Sequence, residues 1–186
     1  MAVTFSASGT ASAGGVQQSY ALAQTALLEG QLSDIRDNTI GTYINETNAV
    51  LAFGNVVVYN TAGTVGNSAT TISGASGTVL GINTLTYVDE TALDANNRPG
   101  VKDKQVLNVA NEGAVAVYVT GAVTPASPVR VLYSASGTGK AGQFSHAFAS
   151  GKTVRLAGAR FLTSTTSSGL AILEVNGPSF TLSADS

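Results

Sequence analysis

A glycine-rich segment, Gly137–Gly142, matches the G-x-G-x-x-G pattern of dinucleotide-binding proteins and follows a predicted strand. That pattern binds a nucleotide only where a helix opens at its third glycine and an acidic residue follows about 20 residues later. No Asp or Glu lies between Glu112 and Glu174. A phosphate loop would also need a hydroxyl residue for magnesium where Ala141 stands. We therefore interpret the segment as a turn.

The remaining acids and the single histidine form no recognisable catalytic or metal-binding pattern. Asp94–Pro99 resembles a calcium loop, but an arginine and a proline replace a ligand and the glycine of the sharp turn. His146 is the only histidine and cysteine is absent, so a nucleophilic triad has neither an alternative base nor a thiol. Glycoside chemistry would need Glu112 and Glu174 to meet, and nothing in the sequence brings them together. We expect no enzyme, no metal and no cofactor.

Two arginines near the end of the chain, Arg155 and Arg160, are candidates for contacts with acids or with a partner subunit. Both lie in Val154–Leu162, which the sequence predicts as one strand. Their spacing of five residues places them on opposite faces of that strand. One of the two is then positioned to point inward and pair with an acid.

The chain that must position these residues contains few charged side chains. Charged residues make up 11% of the 186 residues, against about 25% in an ordinary soluble protein. A monomer normally carries more charge to stay soluble. We therefore expect copies of the protein, or a larger assembly, to cover part of the surface.

Charge and hydropathy also exclude several classes of function. The net charge is -2 and no basic run occurs, so nucleic acid is not the expected partner. No segment approaches the ~20 apolar residues that span a bilayer, and Met1–Thr4 lacks the basic start of a signal peptide. We expect synthesis in the cytoplasm and no membrane partner. Without cysteine, stability must come from burial, strand pairing and association.

The first 28 residues predict an N-terminal arm in front of a β-domain that spans residues 29–186. Met1–Gly15 is nearly all Ala, Ser, Gly and Thr, which bury too little apolar surface to order alone, so we expect a flexible segment. In Val16–Leu28 apolar residues recur at steps of three and four, which favours a short helix ending at Gly30. Two arrangements are open: a helix packed on its own domain, or an arm that orders only against a neighbouring subunit. In the second arrangement, the interface residues of the arm are Val16, Tyr20, Leu22, Leu27 and Leu28.

The clearest strand pattern lies in Gln105–Tyr133. Val115, Val117 and Val119 fall on one face while alanine, tyrosine and threonine fall on the other, as in a β-strand. Asn111–Gly113, just before this run, predicts a tight turn from a preceding strand. We therefore expect a hairpin here, followed by a return strand beyond the prolines.

Short strands separated by Gly and Ser loops account for the rest of the chain. Strands are predicted at Ile40–Ile44, Val50–Tyr59, Val79–Ile82, Leu85–Val88, Val154–Leu162 and Leu170–Val175. Polar loops are predicted at Asn60–Gly77 and Asp89–Lys104, and Gly54 marks a bulge or a sharp bend. Since no long helical period occurs, the pattern indicates an all-β fold: a single β-barrel or a jelly-roll-like sandwich.

Several short motifs, taken in order along the chain, resemble the capsid decoration or cement proteins of tailed phages. They run from about Glu29 to Asn176 and are turn and strand patterns rather than catalytic signatures. The motifs are Glu29–Asp34, Phe53–Gly54 with Val56–Val58, Val79–Ile82, Asn111–Val117, Gly158–Leu162 and Gly169–Asn176. The arm before Leu28 goes beyond the shared pattern.

The resemblance implies a small β-barrel or jelly-roll-like protein that is no enzyme and needs no cofactor. It implies binding to the outer face of an assembled phage head, at symmetry axes between major capsid proteins. A homotrimer is favoured and a dimer is the alternative. Simultaneous contacts from one oligomer multiply through effective concentration, so weak individual interfaces can hold a shell together.

A second class of function is a β-sandwich module of a virion that binds carbohydrate or a host surface. Such a module needs exposed aromatic side chains on one face. Tyr59, Tyr87, Tyr118 and Tyr133 form such a platform only if the fold brings their faces together. Their strand positions favour burial instead.

Overall fold

The structure, a computed structural model, describes residues 27–33, 38–86 and 92–183 of the chain. These residues form an all-β fold without an α-helix in the described ranges, which confirms the predicted fold class. No helix in these ranges is long and apolar enough to cross a membrane. The elements are β1 (Thr39–Asn45), β2 (Leu51–Ala52), β3 (Val56–Tyr59), β4 (Ser68–Thr71), β5 (Val79–Asn83), β6 (Gly100–Val101), β7 (Val106–Val119), β8 (Arg130–Leu132), β9 (Phe144–Ser145), β10 (Thr153–Ala157), β11 (Ala159–Phe161), β12 (Gly169–Asn176), a short 3-10 helix (Gly177–Ser179) and β13 (Thr181–Ser183).

The long strand β7 organises the sheet because its two halves pair with different partners. In the first half, Ala110 lies opposite Ile40 of β1 and opposite Ile82 of β5. The second half pairs with β12 over Glu112–Val119. A single strand therefore belongs to two groups of strands.

The tight turn predicted at Asn111–Gly113 is wrong, because β7 continues through it. Gly113 has a φ of +126°, which other residues rarely adopt. The register of the β1–β7 ladder shifts between Thr39 and Ile40, which lie opposite Glu112 and Ala110, so the extra residue Asn111 marks an irregularity of the ladder and not a reversal of the chain. Thr39 and Asn176 both lie opposite Glu112, and pairing to two neighbours outweighs the local turn preference.

Five strands close into a ring in the order β1, β4, β3, β5, β7 and back to β1. Neighbours in the ring are antiparallel except β1 and β4, which are parallel. A small apolar core packs with this ring. Its buried members are Leu51, Phe53, Val57, Ala69, Val101, Leu107 and Val109.

A second group of strands continues from the other half of β7. β12 pairs with β7 and β11, and β9, β8, β10 and β13 follow one another in the sheet. Most of the larger core lies here and includes Val117, Phe144, Phe161 and Leu173. Ring strands contribute to it as well, through Val56, Val58 and Ile82. Alanines on the opposite face of β7 are buried as well, so both faces of this strand are covered.

Two predicted strands are each divided by a glycine with positive φ. Val50–Tyr59 becomes β2 and β3, and Gly54 between them has a φ of +72°, which confirms the predicted bend. Val154–Leu162 becomes β10 and β11, separated by Gly158 at +70°. A positive φ interrupts the extended backbone, so the strand partner changes although the apolar pattern continues.

Three short strands lie where the sequence predicts loops or no strand. β4 lies within Asn60–Gly77, β6 lies within Asp89–Lys104, and β13 follows the last predicted strand. These strands have two to four residues, too few for a periodic pattern. The first two residues of the predicted strand Leu85–Val88 lie outside any strand, and the others lie outside the described residues.

Candidate functional site

The arm residues predicted to contact a partner fall mostly outside the described part of the chain. Those outside it are Val16, Tyr20 and Leu22. Leu27 is half-buried, whereas Leu28 is 54% exposed. Leu85, whose N–H donates to the carbonyl oxygen of Gly30 at 2.7 Å, is exposed as well. Two exposed leucines therefore lie near the point where the arm meets the domain.

Residues 27–33, here called the stem, attach the arm to the middle of β7. The N–H of Gly30 donates to the carbonyl oxygen of Ala116 (2.7 Å), and the N–H of Ser33 donates to that of Ala114 (2.9 Å). The stem thus runs antiparallel to β7 as a short additional strand, through one β-bridge. The stem is consequently fixed on the central strand of the domain.

Gly30, predicted as a helix stop, lies in a turn of the stem at a φ of +82°, and residues 16–26 of the predicted helix lie outside the described residues. A Cβ atom at this position would lie 2.8 Å from the Cβ of Phe53 and 2.9 Å from the backbone nitrogen of Leu85. Both the backbone conformation and the lack of space therefore require glycine here. The Glu-Gly pair that the sequence shows at the start of the domain is what lets the stem lie close to the strands.

The carboxylate of Glu29 is buried beside a cluster formed by Arg98, Asp94 and Asn55. Arg98 donates from Nε and Nη2 to Asp94 Oδ2 (3.0 and 2.9 Å) and from Nη1 to Asn55 Oδ1 (3.1 Å). Glu29 Oε1 lies 3.5 Å from Arg98 Nη1 and accepts no hydrogen bond from the described residues. Burial raises the pKa of Glu29 to about 7, because the charge of Arg98 only partly offsets the loss of water.

The turn predicted at Asp94–Pro99 holds this cluster in place. Asp94 Oδ1 accepts hydrogen bonds from the backbone N–H groups of Asn96 (2.7 Å) and Arg98 (2.9 Å). Although burial opposes its charge, these two backbone hydrogen bonds and Arg98 lower the pKa of Asp94. Gly54 is also required, because a Cβ there would lie 2.4 Å from Glu29 Cγ.

The two arginines predicted as interface residues lie on different strands, so their placement on opposite faces of one strand is wrong. Arg155 is on β10 and Arg160 is on β11, with Gly158 between them. Both side chains are exposed, and neither points inward. Arg160 Nε donates to Glu174 Oε2 on the neighbouring strand β12, which forms an exposed ion pair.

Arg155 lies directly opposite Arg130 of β8 on an exposed part of the sheet. Arg130 Nη1 donates to the carbonyl oxygen of His146, and its guanidinium carbon lies 6.0 Å from the ring centre of Phe148. His146 follows the end of β9 and is exposed. Arg155 and Arg130 therefore place two positive charges on neighbouring strands of this part of the sheet.

Glu112 and Glu174, which the sequence does not bring together, lie on the paired strands β7 and β12. Glu174 is opposite Ala114, and Glu112 is opposite Asn176, two positions along the ladder. Each carboxylate accepts a hydrogen bond. Arg160 donates to Glu174, and the hydroxyl of Thr39 donates to Glu112 at 3.0 Å. The pair therefore does not have the arrangement of a free acid and a free base.

Sequence reasoning missed a buried carboxylate at Glu46, which follows β1. It accepts hydrogen bonds from Lys104 Nζ (2.8 Å) and from the backbone N–H of Thr64 (2.8 Å). These contacts, that from Lys104 above all, hold the pKa of Glu46 well below its ordinary range. The role is structural, since the side chain ties two loops to the end of β1.

The structure also places the other candidate sites. Gly137–Gly142 is a turn closed by a bridge between Ser136 and Gly139, and no helix follows it. Within the described ranges, no group of three or more His, Asp or Glu residues could hold a metal ion. Tyr133 packs against the larger core, Tyr118 is half-buried and Tyr59 is 37% exposed, so these three tyrosines form no exposed platform. Tyr87 lies outside the described residues.

Comparison with solved structures finds a similar fold in a phage capsid. The matched chain belongs to "The capsid of Myoviridae Phage XM1", with 17% sequence identity and a TM-score of 0.59. The alignment covers 87% of this chain and 97% of that chain. Among curated proteins, no match was found.

Comparison with protein families gives a match over residues 16–176 to the family described as structural cement protein (E217 gp24/Pam3 gp6). The match begins at residue 16 rather than near Glu29, so the shared pattern includes the second half of the arm. The expectation that the whole arm lies beyond the shared pattern is therefore wrong. Because the match spans most of the chain, this protein belongs to the structural cement protein family and has a role in capsid decoration.

Proposed function

We propose that this cement protein binds the outer surface of an assembled phage head and bridges neighbouring major capsid proteins as a homotrimer. It acts as a structural protein and not as an enzyme, and it is made in the host cytoplasm before it joins the virion. Its parts are an arm, residues 1–28, and a β-domain, residues 29–186. The family match over residues 16–176 is the observation that carries this proposal.

The arm is the first proposed contact, through Val16, Tyr20, Leu22, Leu27 and Leu28. Two observations support it: the family match includes the arm from residue 16 onward, and the stem joins β7 by backbone hydrogen bonds. A load on the arm then passes directly to the strand shared by both cores. Apolar anchors suit such a contact, since buried apolar area contributes about 25 cal/mol per Å2 before ordering costs.

The exposed arginines are the second proposed contact. Arg155 has an exposed side chain on β10, so its guanidinium can pair with a carboxylate of an acidic capsid surface. Arg160 faces outward on β11 with an exposed side chain, and it is included although it already pairs with Glu174. Bidentate pairing of a guanidinium with a carboxylate would fix the orientation of the subunit.

The test is co-sedimentation of the full-length protein with assembled heads, together with its mass in solution by light scattering. One variant combines Val16→Ser, Tyr20→Ser and Leu22→Ser, and its control combines Gln17→Ser, Gln18→Ser and Gln24→Ser. We expect a trimer that binds heads, with binding lowered at least tenfold in the first variant and unchanged in the control. Equal binding of both variants would remove the arm from the interface, and a monomer that does not bind heads would overturn the proposal.

A further inference from the structure

A cleft of about 660 Å3 opens at the end of the five-stranded ring where β1 and β5 begin. Tyr43 and Leu80 line it and pack against the smaller core. Phe180 belongs to the larger core, and Leu182 packs against that core. Both line the cleft from the other group of strands. The cleft is therefore an apolar depression between the two cores.

Two strand segments along this cleft, the start of β5 and β13, have a partner on one side only among the described residues. The β5–β7 ladder includes Ile82 and Asn83 but stops before Val79, which pairs only with Val58 of β3. β13, which includes Thr181, pairs only with β10. An unpaired strand edge presents backbone donors and acceptors that an additional strand can use.

The rim of the cleft is polar. Thr78 and Thr181 are exposed there, and Glu112 lies on it with Thr39 as its partner. Asn111 Oδ1 is buried and accepts no hydrogen bond from the described residues. The site thus offers an apolar floor, a polar rim and open backbone edges, which matches the requirements of a β-strand with alternating side chains.

Such a segment begins the chain itself. In Val3–Ser8 apolar Val, Phe and Ala alternate with Thr and Ser, the period of a strand with one buried face. Residues 1–26 contain no charged residue and no proline, so no side chain there opposes strand addition. The 18 residues between Ser8 and Leu27 can extend by roughly 3.3 Å each, on the order of 60 Å, which is enough to reach another subunit.

We propose that the cleft receives Val3–Ser8 from a neighbouring copy, which adds a strand along β13 and places Phe5 against Tyr43 and Leu80. This inference rests on the proposed function, because neighbouring copies meet on the head. It would make each cement subunit both a donor and an acceptor, so that copies are linked to one another as well as to the capsid. Exchange of a terminal segment between identical subunits is a low-cost route to such linkage.

The absence of cysteine from the natural sequence allows a direct cross-linking test with the full-length chain. One population carries Phe5→Cys and a second carries Thr181→Cys. The two are mixed in equal amounts on decorated heads, oxidised and separated without reductant. The control replaces the second population with Thr138→Cys, an exposed threonine outside the cleft. We expect the mixed dimer to be at least tenfold more abundant with Thr181→Cys than with Thr138→Cys.

Equal yields from the two mixtures on heads that are fully decorated would overturn the cleft as the acceptor and leave capsid binding intact. A chain that carries both Phe5→Cys and Thr181→Cys and cross-links only within itself would overturn donation from a neighbour. Co-sedimentation shows whether the Phe5→Cys variant still binds heads. If it does not, Val3→Cys replaces it in the two mixtures with Thr181→Cys and Thr138→Cys. The failure of this inference is thereby separable from the failure of the proposed function.

Discussion

At the scale of single residues, the arm is joined to the domain beside a carboxylate that water does not reach easily. Glu29 is the first acidic residue of the chain, and the stem begins around it. Arg98 directs its shorter hydrogen bonds to Asp94 and Asn55, so Glu29 receives only a 3.5 Å contact. The charge of Glu29 is therefore only partly compensated, which makes this position sensitive to pH.

We predict that Glu29 lowers the stability of the folded protein as the pH rises. Its pKa is about 7 in the folded state against an ordinary value of 4.5, so the folded state binds the proton more tightly. The stabilisation is complete below pH 4.5 and is lost as the pH rises through about 7. Glu29→Gln should remove this dependence and raise the free energy of unfolding at pH 8 by about 2 to 3 kcal/mol, as judged by urea denaturation.

The control for this prediction is Glu174→Gln, which removes a carboxylate from an exposed ion pair. We expect this variant to keep the pH dependence of the parent protein between pH 4.5 and 7. A parent protein whose stability is flat across that window would contradict the role of Glu29. Glu46 acts in the opposite direction, since its lowered pKa gives stabilisation that is lost on acidification.

At the scale of the elements, glycines decide where one strand ends and the next begins. Gly158 separates β10 from β11 at a φ of +70°. A Cβ there would lie 2.3 Å from the backbone carbonyl of Ser179. Gly151, just before β10, has a nearly equal φ of +68°, yet nothing lies within 4 Å of its Cβ position. Substitutions at these two glycines therefore separate the energetic cost of a positive φ from the cost of a steric clash.

We predict that Gly151→Ala costs about 1 to 2 kcal/mol of unfolding free energy, the penalty for a positive φ. Gly158→Ala should cost clearly more, because the backbone of Ser179 must also move. Thermal and urea denaturation of both variants measure the difference. Equal destabilisation would show that the chain around the short 3-10 helix shifts freely, contrary to the packing described here.

At the scale of the whole molecule, β7 makes the two cores depend on each other. Val109 belongs to the smaller core and Val117 to the larger, and both are fully buried on one strand. Loss of order in either half of β7 removes pairing partners from the other group of strands. We therefore expect one cooperative unfolding transition rather than two.

Three valine-to-alanine substitutions on β7 test this coupling. Val109→Ala and Val117→Ala should each lower the free energy of unfolding by about 2 kcal/mol, from lost burial and the cavity left behind. Each should shift the same single calorimetric transition. Val106→Ala, where the side chain is 56% exposed, should have little effect. A second transition that moves with only one of the core variants would show that the cores unfold separately.

The sequence by itself determined the all-β class, the alternation in the second half of β7, the bend at Gly54 and the family resemblance. These features depend on side-chain period and on glycine conformations, which are local properties. Only the tertiary structure decided that Asn111–Gly113 continues a strand, that β4 and β6 form within polar loops, and that Arg155 and Arg160 occupy different strands. Each of these depends on which strands pair in the folded protein, and pairing with another strand stabilises an extended conformation more than local preference opposes it.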